Sequence, residues 1–325
     1  MPTLLYPADD TEWHKLRHKD VTSTEAAALF GLSPYSTAYE LAVQKVECAP
    51  PTIADNERMF WGRMHERTIA RVIGLRYGVK VRKLSAYARH STSSMGASFD
   101  YEIVGLDLAR PVEDDILQRL YTEHGAGILE CKNVDAFVYS RQWASDTENE
   151  APSHIEIQVQ HQLEVIDREW TVIAALVGGN RLEKLIRLRD REVGAAIRKK
   201  IDGFWTDMAV GKMPPIELPE DADIIRKIYW YANPGKLLDA RGNAEIKALC
   251  EQYKEAAARK KEAEDDQKSA VARILMAIGE AEKAITDGYN ISATMVGDAE
   301  IPAFIRAGYR RVTVTPQKPK KEAKK

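Results

Sequence analysis

Cysteine is scarce: there are three in 325 residues, Cys48, Cys131 and Cys250, odd in number and far apart. That excludes a disulfide framework and a cysteine-based zinc site, and it fits a reducing compartment. Net charge is nearly absent as well, with 47 Lys and Arg against 49 Asp and Glu. No basic surface is dictated by that total, although a local basic groove fits inside a neutral sum. No apolar run reaches membrane-spanning length, and the opening Met-Pro-Thr-Leu-Leu-Tyr-Pro lacks the basic-then-apolar order of a secretion signal. The expectation is a cytoplasmic protein without a membrane partner. Among the histidines, His14, His65, His90 and His161 invite a zinc hydrolase, but His65-Glu66 lacks the second histidine of an H-E-x-x-H pair and no Cys/His cluster compensates.

What the chain does have is a carboxylate and an amine inside a short apolar run, Ile128-Leu-Glu-Cys-Lys132. On a strand the side chains alternate, so Ile128, Glu130 and Lys132 share one face and Leu129 and Cys131 the other. Two charges there are costly unless a ligand uses them. Upstream, Asp100 closes the run Ala97-Ser98-Phe99-Asp100. If the two stretches pair, Asp100 and Glu130 hold a hard divalent cation while Lys132 orients a water or offsets a phosphate, which suggests phosphodiester hydrolysis. A surface strand pairing Glu with Lys would read the same way.

Along the chain, Thr22, Ser23 or Thr24 caps a short helix through Ala26–Phe30 that Gly31 stops, Gly31 to Tyr35 is a turn, and a helix follows from Ala38 to Val46. Residues 55–77 carry the clearest helix, with Phe60, Trp61, Met64, Ile69, Val72 and Ile73 as its buried arc and Glu66 at the margin. Residues 79–110 are β-rich, 112–121 a short helix or loop, 128–138 strand, and 141–153 polar. From His154 the Ile/Val alternation favours a strand with Gln158 and Gln160 on one face, whereas Val159, Leu163 and Ile166 favour a helix; helix is preferred, continuing towards Gly178. A polar helix runs from about Leu188 to Met208, and Pro214-Pro215 marks the domain boundary. Residues 240–287 form one or two charged helices, a solvated hairpin or coiled coil. An edge strand is expected at Tyr309–Val314, before a basic tail.

In order, Trp13-His-Lys-Leu-Arg17 with Val21-Thr-Ser-Thr24, Gly31-Leu-Ser-Pro-Tyr35, Trp61-Gly-x-x-x-Glu66, Asp100, Glu130-Cys-Lys132 and Gln158-Val-Gln160 resemble the phage-type recombination exonucleases of the YqaJ family, relatives of lambda exonuclease in the PD-(D/E)xK nuclease superfamily. The resemblance spans roughly residues 10–210. It implies an α/β fold with a restriction-endonuclease-like core, a central mixed sheet flanked by helices, over a domain at 1–215, followed by a mostly helical extension at 216–325. It also implies a 5′-to-3′ exonuclease on linear duplex DNA, using Mg²⁺ (Mn²⁺ substituting), two ions per site, and leaving 3′ overhangs for a single-strand annealing protein. Asp100 and Glu130 then resemble the metal-binding acids, Leu129 or Cys131 a backbone-carbonyl donor, Lys132 the catalytic lysine, Glu66 an additional acid and Gln158 the water-positioning glutamine. Arg17 and Thr24 occupy 5′-phosphate positions, with His161 a further DNA contact, and a homo-oligomer, in the form of a ring-shaped trimer, is plausible by the same likeness. Tyr101 after Asp100 departs from the family's usual glycine. An endonuclease with the same core, or an inactive recombination scaffold, are the competing readings.

Overall fold

The computed structural model describes residues 1–47, 56–109, 111–143, 150–229 and 231–297. The expected edge strand at 309–314, the basic tail, Cys48 and the Asp55 start of the long helix lie outside the described residues. The chain divides into two compact units, Met1–Ile224 and a second beginning at Ile225.

The first unit opens with β1 (Thr3–Leu5), α1 (Asp10–His18), β2 (Val21–Thr22), a 3-10 turn at Ala26–Phe30 and α2 (Ala38–Glu47). Asp9 caps α1 by accepting from the Glu12 N–H. The turn at 26–30 ends on Gly31 at φ 66, a left-handed position that suits glycine. α3 (Glu57–Tyr77) leads into β3 (Val79–Lys83), β4 (Tyr87–Arg89), β5 (Met95–Ala97) and β6 (Tyr101–Leu106). After α4 (Ile116–His124) come β7 (Gly127–Val134), α5 (Ala136–Gln142), α6 (Ser153–Ile166), β8 (Trp170–Val177), β9 (Arg181–Leu188) and α7 (Arg191–Ala209).

The principal sheet has strand order β3-β6-β7-β8-β9. Its β7–β8 pair is parallel and the other pairs are antiparallel, so the sheet is mixed. A parallel neighbour needs a helical crossover, which α5 and α6 supply. A smaller sheet, β1-β4-β5-β2, lies in the same unit. Apolar residues of β7 and β8 pack with Ile69, Ala70, Ile73 and Tyr77 of α3 in one core cluster. Gly127 begins β7 because a Cβ there would lie 2.4 Å from the Trp170 ring.

Several expectations need correction. The predicted strand 128–138 ends at Val134, because Asp135 caps a helix by accepting from the N–H groups of Phe137 and Val138. The helix from His154 stops at Ile166 rather than Gly178: Asp167 takes φ 60, and the β-branched and apolar run Trp170–Val177 becomes a strand covered on both faces. Phe60, Trp61 and Met64 are 43%, 49% and 53% exposed, not buried. At about 100° per residue they fall on the side of α3 opposite Ile69, Ile73 and Tyr77. The inward stripe instead runs Gly62, Glu66, Ile69 and Ile73, so Glu66 lies mid-helix on the core-facing side, one turn before the first buried residue, Ile69.

α8 (Ala222–Ile228) spans the division between units. The second unit then holds α9 (Ala244–Ile278), one helix of 35 residues with none buried, and a hairpin of β10 (Lys283–Thr286) and β11 (Tyr289–Ser292). The helix expected over 240–287 thus ends at Ile278, and its last expected residues form β10 instead. Among the described residues no helix is long and apolar enough to cross a membrane.

Candidate active site

Three elements build the site. β6 and β7 pair antiparallel with Tyr101 opposite Leu129 and Glu102 opposite Ile128. Asp100 directly precedes β6, and its carboxylate accepts the Cys131 backbone N–H at 2.8 Å. Thirty residues of sequence separation between Asp100 and Glu130 thus close into one neighbourhood. Of the acids between them, Glu102 pairs with Arg82, Glu113 with Arg76, Asp114 with Lys184 and Asp115 with Arg119.

Glu130 is 3% exposed and both its oxygens are engaged. Oε1 accepts from Lys132 Nζ at 2.6 Å and from Gln158 Nε2 at 2.6 Å, while Oε2 accepts from Gln162 Nε2 at 2.8 Å. Lys132 also donates to Gln158 Oε1 at 3.1 Å. Gln158 and Gln162 stand one turn apart on α6 and so share a face. The helical reading therefore pairs Gln158 with Gln162 rather than with Gln160, whose amide instead donates to the Leu188 carbonyl and accepts from the Asp190 N–H. Gln162 was missed by sequence reasoning, though i, i+4 spacing from Gln158 is the signal that finds it.

Burial, then the charges of Glu130 and Glu66, push the Asp100 carboxyl up to about 8. Burial pulls the Lys132 ammonium down, but Glu130 and Asp100 outweigh it and hold its pKa above the ordinary lysine value. Lys132 is thus a cation at neutral pH and not a proton acceptor. Burial, with Asp100 and Glu130 next, also raises the Cys131 thiol, whose side chain packs in the core cluster with α3. Glu66 lies close enough to act on Asp100 and is ion-paired with Lys83 at 2.8 Å, and that lysine also sits 5.0 Å from the centre of the Tyr101 ring.

Among the described residues no group of three or more His, Cys, Asp or Glu side chains is gathered as a ready metal cage. The donors nevertheless fit Mg²⁺, which keeps several waters and is commonly held by one or two carboxylates plus substrate phosphate. Asp100 is the telling observation: a buried carboxyl beside two like charges, relieved by a cation. A consequence is proton release. A cation held here would need the Asp100 carboxylate, so apparent Mn²⁺ affinity should rise with pH towards about 8 and then level off. The sign for stability is the reverse in the metal-free protein. Folded Asp100 binds a proton more tightly than an unperturbed aspartate does in the unfolded chain, so its contribution is present at low pH and is lost as pH rises through about 8. Mn²⁺ titrations and metal-free melting curves between pH 6 and 9 measure both slopes, and Asp100→Asn should flatten each.

The expected end-phosphate residues form a separate cluster. Arg17 stacks on Trp13 at 4.3 Å and lies 3.9 Å from Glu25, whose other oxygen pairs with the buried Lys45 at 2.8 Å. Thr24 is exposed, its hydroxyl 3.4 Å from that of Thr22. The cluster touches the acid-bearing stretch through Trp13 Nε1, which donates to Ser98 Oγ at 3.0 Å. His161 does not belong to a DNA surface: it is fully buried, with Nε2 3.2 Å from the Val21 carbonyl, and burial lowers its pKa to about 4.

Residues 12–169 match the family of the YqaJ-like viral recombinase domain. The uncharacterized protein YqaJ of Bacillus subtilis (strain 168) is 28% identical over 206 residues, which is 63% of this chain. The chain spans 58% of the length of that curated relative. Among solved structures, LHK-Exo in complex with dAMP aligns at TM-score 0.47 and 16% identity over 67% of this chain and 98% of that one; LHK-Exo is an alkaline exonuclease from Laribacter hongkongensis. A phage related exonuclease from Haemophilus somnus 129PT aligns at TM-score 0.32 and 14% identity over 60% of this chain and 99% of that one.

Proposed function

We propose that this chain, whose residues 12–169 match the family of the YqaJ-like viral recombinase domain, is a metal-dependent deoxyribonuclease that degrades the 5′ strand of linear duplex DNA from an end. The single observation that carries the chemistry is the junction of Asp100, just before β6, with Glu130 and Lys132 of β7 and Gln158 of α6. An Mg²⁺ held by Asp100 and Glu130 would supply Lewis acidity at the scissile phosphate and a bound water of lowered pKa. Lys132, kept cationic by Glu130, offsets the charge that develops on the phosphate oxygens. Gln158 holds the lysine through Oε1 and Glu130 through Nε2, so one amide fixes the amine relative to the acid. Arg17, preorganised on the Trp13 ring, has the planar fork that matches a terminal phosphate bidentately. The 5′-to-3′ direction, the 3′ overhang, transfer to a single-strand annealing protein and a trimeric ring belong to the same proposal and are supported by family likeness.

Digestion of linear and covalently closed duplexes, labelled at either end and with or without a 5′ phosphate, tests the reading. The expected outcome is loss of the 5′ label first, Mg²⁺ dependence, preference for the phosphorylated end and no attack on closed circles. Nicking of closed circles would replace the exonuclease reading with an endonuclease one, and absence of metal-dependent cleavage on every substrate would reject both.

A further inference from the structure

Gln162 is the polar residue at the site for which the hydrolytic mechanism has no task. It is 1% exposed, and its Nε2 donates both to Glu130 Oε2 at 2.8 Å and to the Ser98 carbonyl at 3.2 Å. Its Oε1 is buried and finds no hydrogen-bond partner among the described residues. Turning the amide over would not repair this, because the oxygen would then face a carboxylate and a carbonyl, both acceptors. The residue therefore leaves one buried polar atom unpaired in order to serve two acceptors on separate stretches of the chain.

Those acceptors lie on the two stretches that must come together. Ser98 stands two residues before Asp100, in the link between β5 and β6, and Glu130 lies in the middle of β7. Ser98 is held from its other side by Trp13. Within the principal sheet, the β6–β7 ladder begins only at Tyr101 and Leu129, so the segment carrying Asp100 is outside the strand register that fixes Glu130. A side chain bridging 98 and 130 adds a second tie to the one made by the Cys131 N–H on the Asp100 carboxylate.

We propose that Gln162 is a positioning residue for the metal centre: it sets the orientation of the Glu130 carboxylate and the separation of the Asp100 and Glu130 stretches, and so tunes cation affinity rather than the chemical step. The inference rests on the nuclease reading for its purpose but not for its test. Outer residues that orient ligands change metal affinity by about 10- to 100-fold when removed.

The experiment measures Mn²⁺ binding to the full chain without DNA, by titration calorimetry or by electron paramagnetic resonance of free Mn²⁺, for wild type, Gln162→Met and Gln160→Met. Gln160→Met is the structural control, since Gln160 lies on the same helix and makes two hydrogen bonds without touching Glu130. Gln162→Met should weaken Mn²⁺ binding at least roughly tenfold and raise the Mn²⁺ needed for half-maximal cleavage by the same factor, with kcat at saturating Mn²⁺ within about threefold of wild type. Gln160→Met should leave Mn²⁺ affinity unchanged. Equal affinity in Gln162→Met and wild type, or an equal loss in both variants, overturns the proposal. If circular dichroism shows that Gln162→Met does not fold, Gln162→Asn, too short to span Glu130 and Ser98, carries the same expectation and the same contrary result. Failure of the wild type to cleave any DNA would reject the nuclease reading instead, while the DNA-free comparison still decides the role of Gln162.

Discussion

Glu130→Gln should lose metal-dependent cleavage by about a thousandfold or more, equivalent to about 4 kcal/mol of transition-state stabilisation, while duplex DNA binding changes little. The substitution keeps shape and removes charge. In place of Oε1, which receives hydrogen bonds from Lys132 and Gln158, one rotamer of the new amide presents donors to donors. The other rotamer turns those donors onto the Gln162 amide. Neither orientation satisfies all three partners. The Lys132 ammonium also loses its counter-charge in a largely covered place, so the variant should be less stable than wild type by about 2–3 kcal/mol. Asp100→Asn should lose activity to a similar degree with the opposite effect on stability. It removes a carboxyl that burial, Glu130 and Glu66 all oppose, so the metal-free variant should melt no lower than wild type at pH 7 and higher above pH 8. Activity assays beside thermal melts separate the two acids by this difference in sign, and equal destabilisation by both substitutions would contradict the electrostatic picture of the site.

Lys132→Met is expected to reduce kcat by roughly 10²- to 10³-fold, the range seen when one preorganised charge-stabilising donor is removed. Its effect on metal binding should run the other way. With the ammonium gone, only the neutral Gln158 amide still donates to Glu130 Oε1, and a cation meets a more negative site. Mn²⁺ should therefore bind at least as tightly as to wild type while turnover collapses. That split distinguishes an amine acting on substrate from one that merely neutralises an acid. Recovery of wild-type turnover at high Mn²⁺ would assign Lys132 the neutralising role and remove it from the mechanism.

The part of this site that sequence reasoning reached depends on period two. Alternation alone places Glu130 and Lys132 on one face of a strand, and their 2.6 Å contact follows. The pairing with Asp100 needed a turn of the chain that local pattern does not specify, and α4 lies within that connection. On α6 the apolar residues satisfy both a strand and a helix over six positions, so Gln158 could be grouped with Gln160 or with Gln162, and only the tertiary position of the helix against β7 selects the second. α3 misled for a different reason. Its apolar residues lie on two faces, and counting them cannot tell the face against the sheet from the exposed one at Phe60, Trp61 and Met64. β9 went unseen because Arg181-Leu-Glu-Lys-Leu-Ile-Arg-Leu188 is an edge strand rich in charge, and the β10–β11 hairpin because it follows a long polar helix without an apolar run. His161 shows the limit of adjacency: its place beside Gln160 in sequence turns it by one helical step into the core.

Crystals of the full chain grown with Mn²⁺ and examined by anomalous diffraction test the central claim most directly. The account predicts a Mn²⁺ peak bonded to carboxylate oxygens of both Asp100 and Glu130, with water completing its shell, and loss of that peak in Asp100→Asn. A metal bonded to one of these acids without the other, or seated elsewhere with both carboxylates bare, would contradict it.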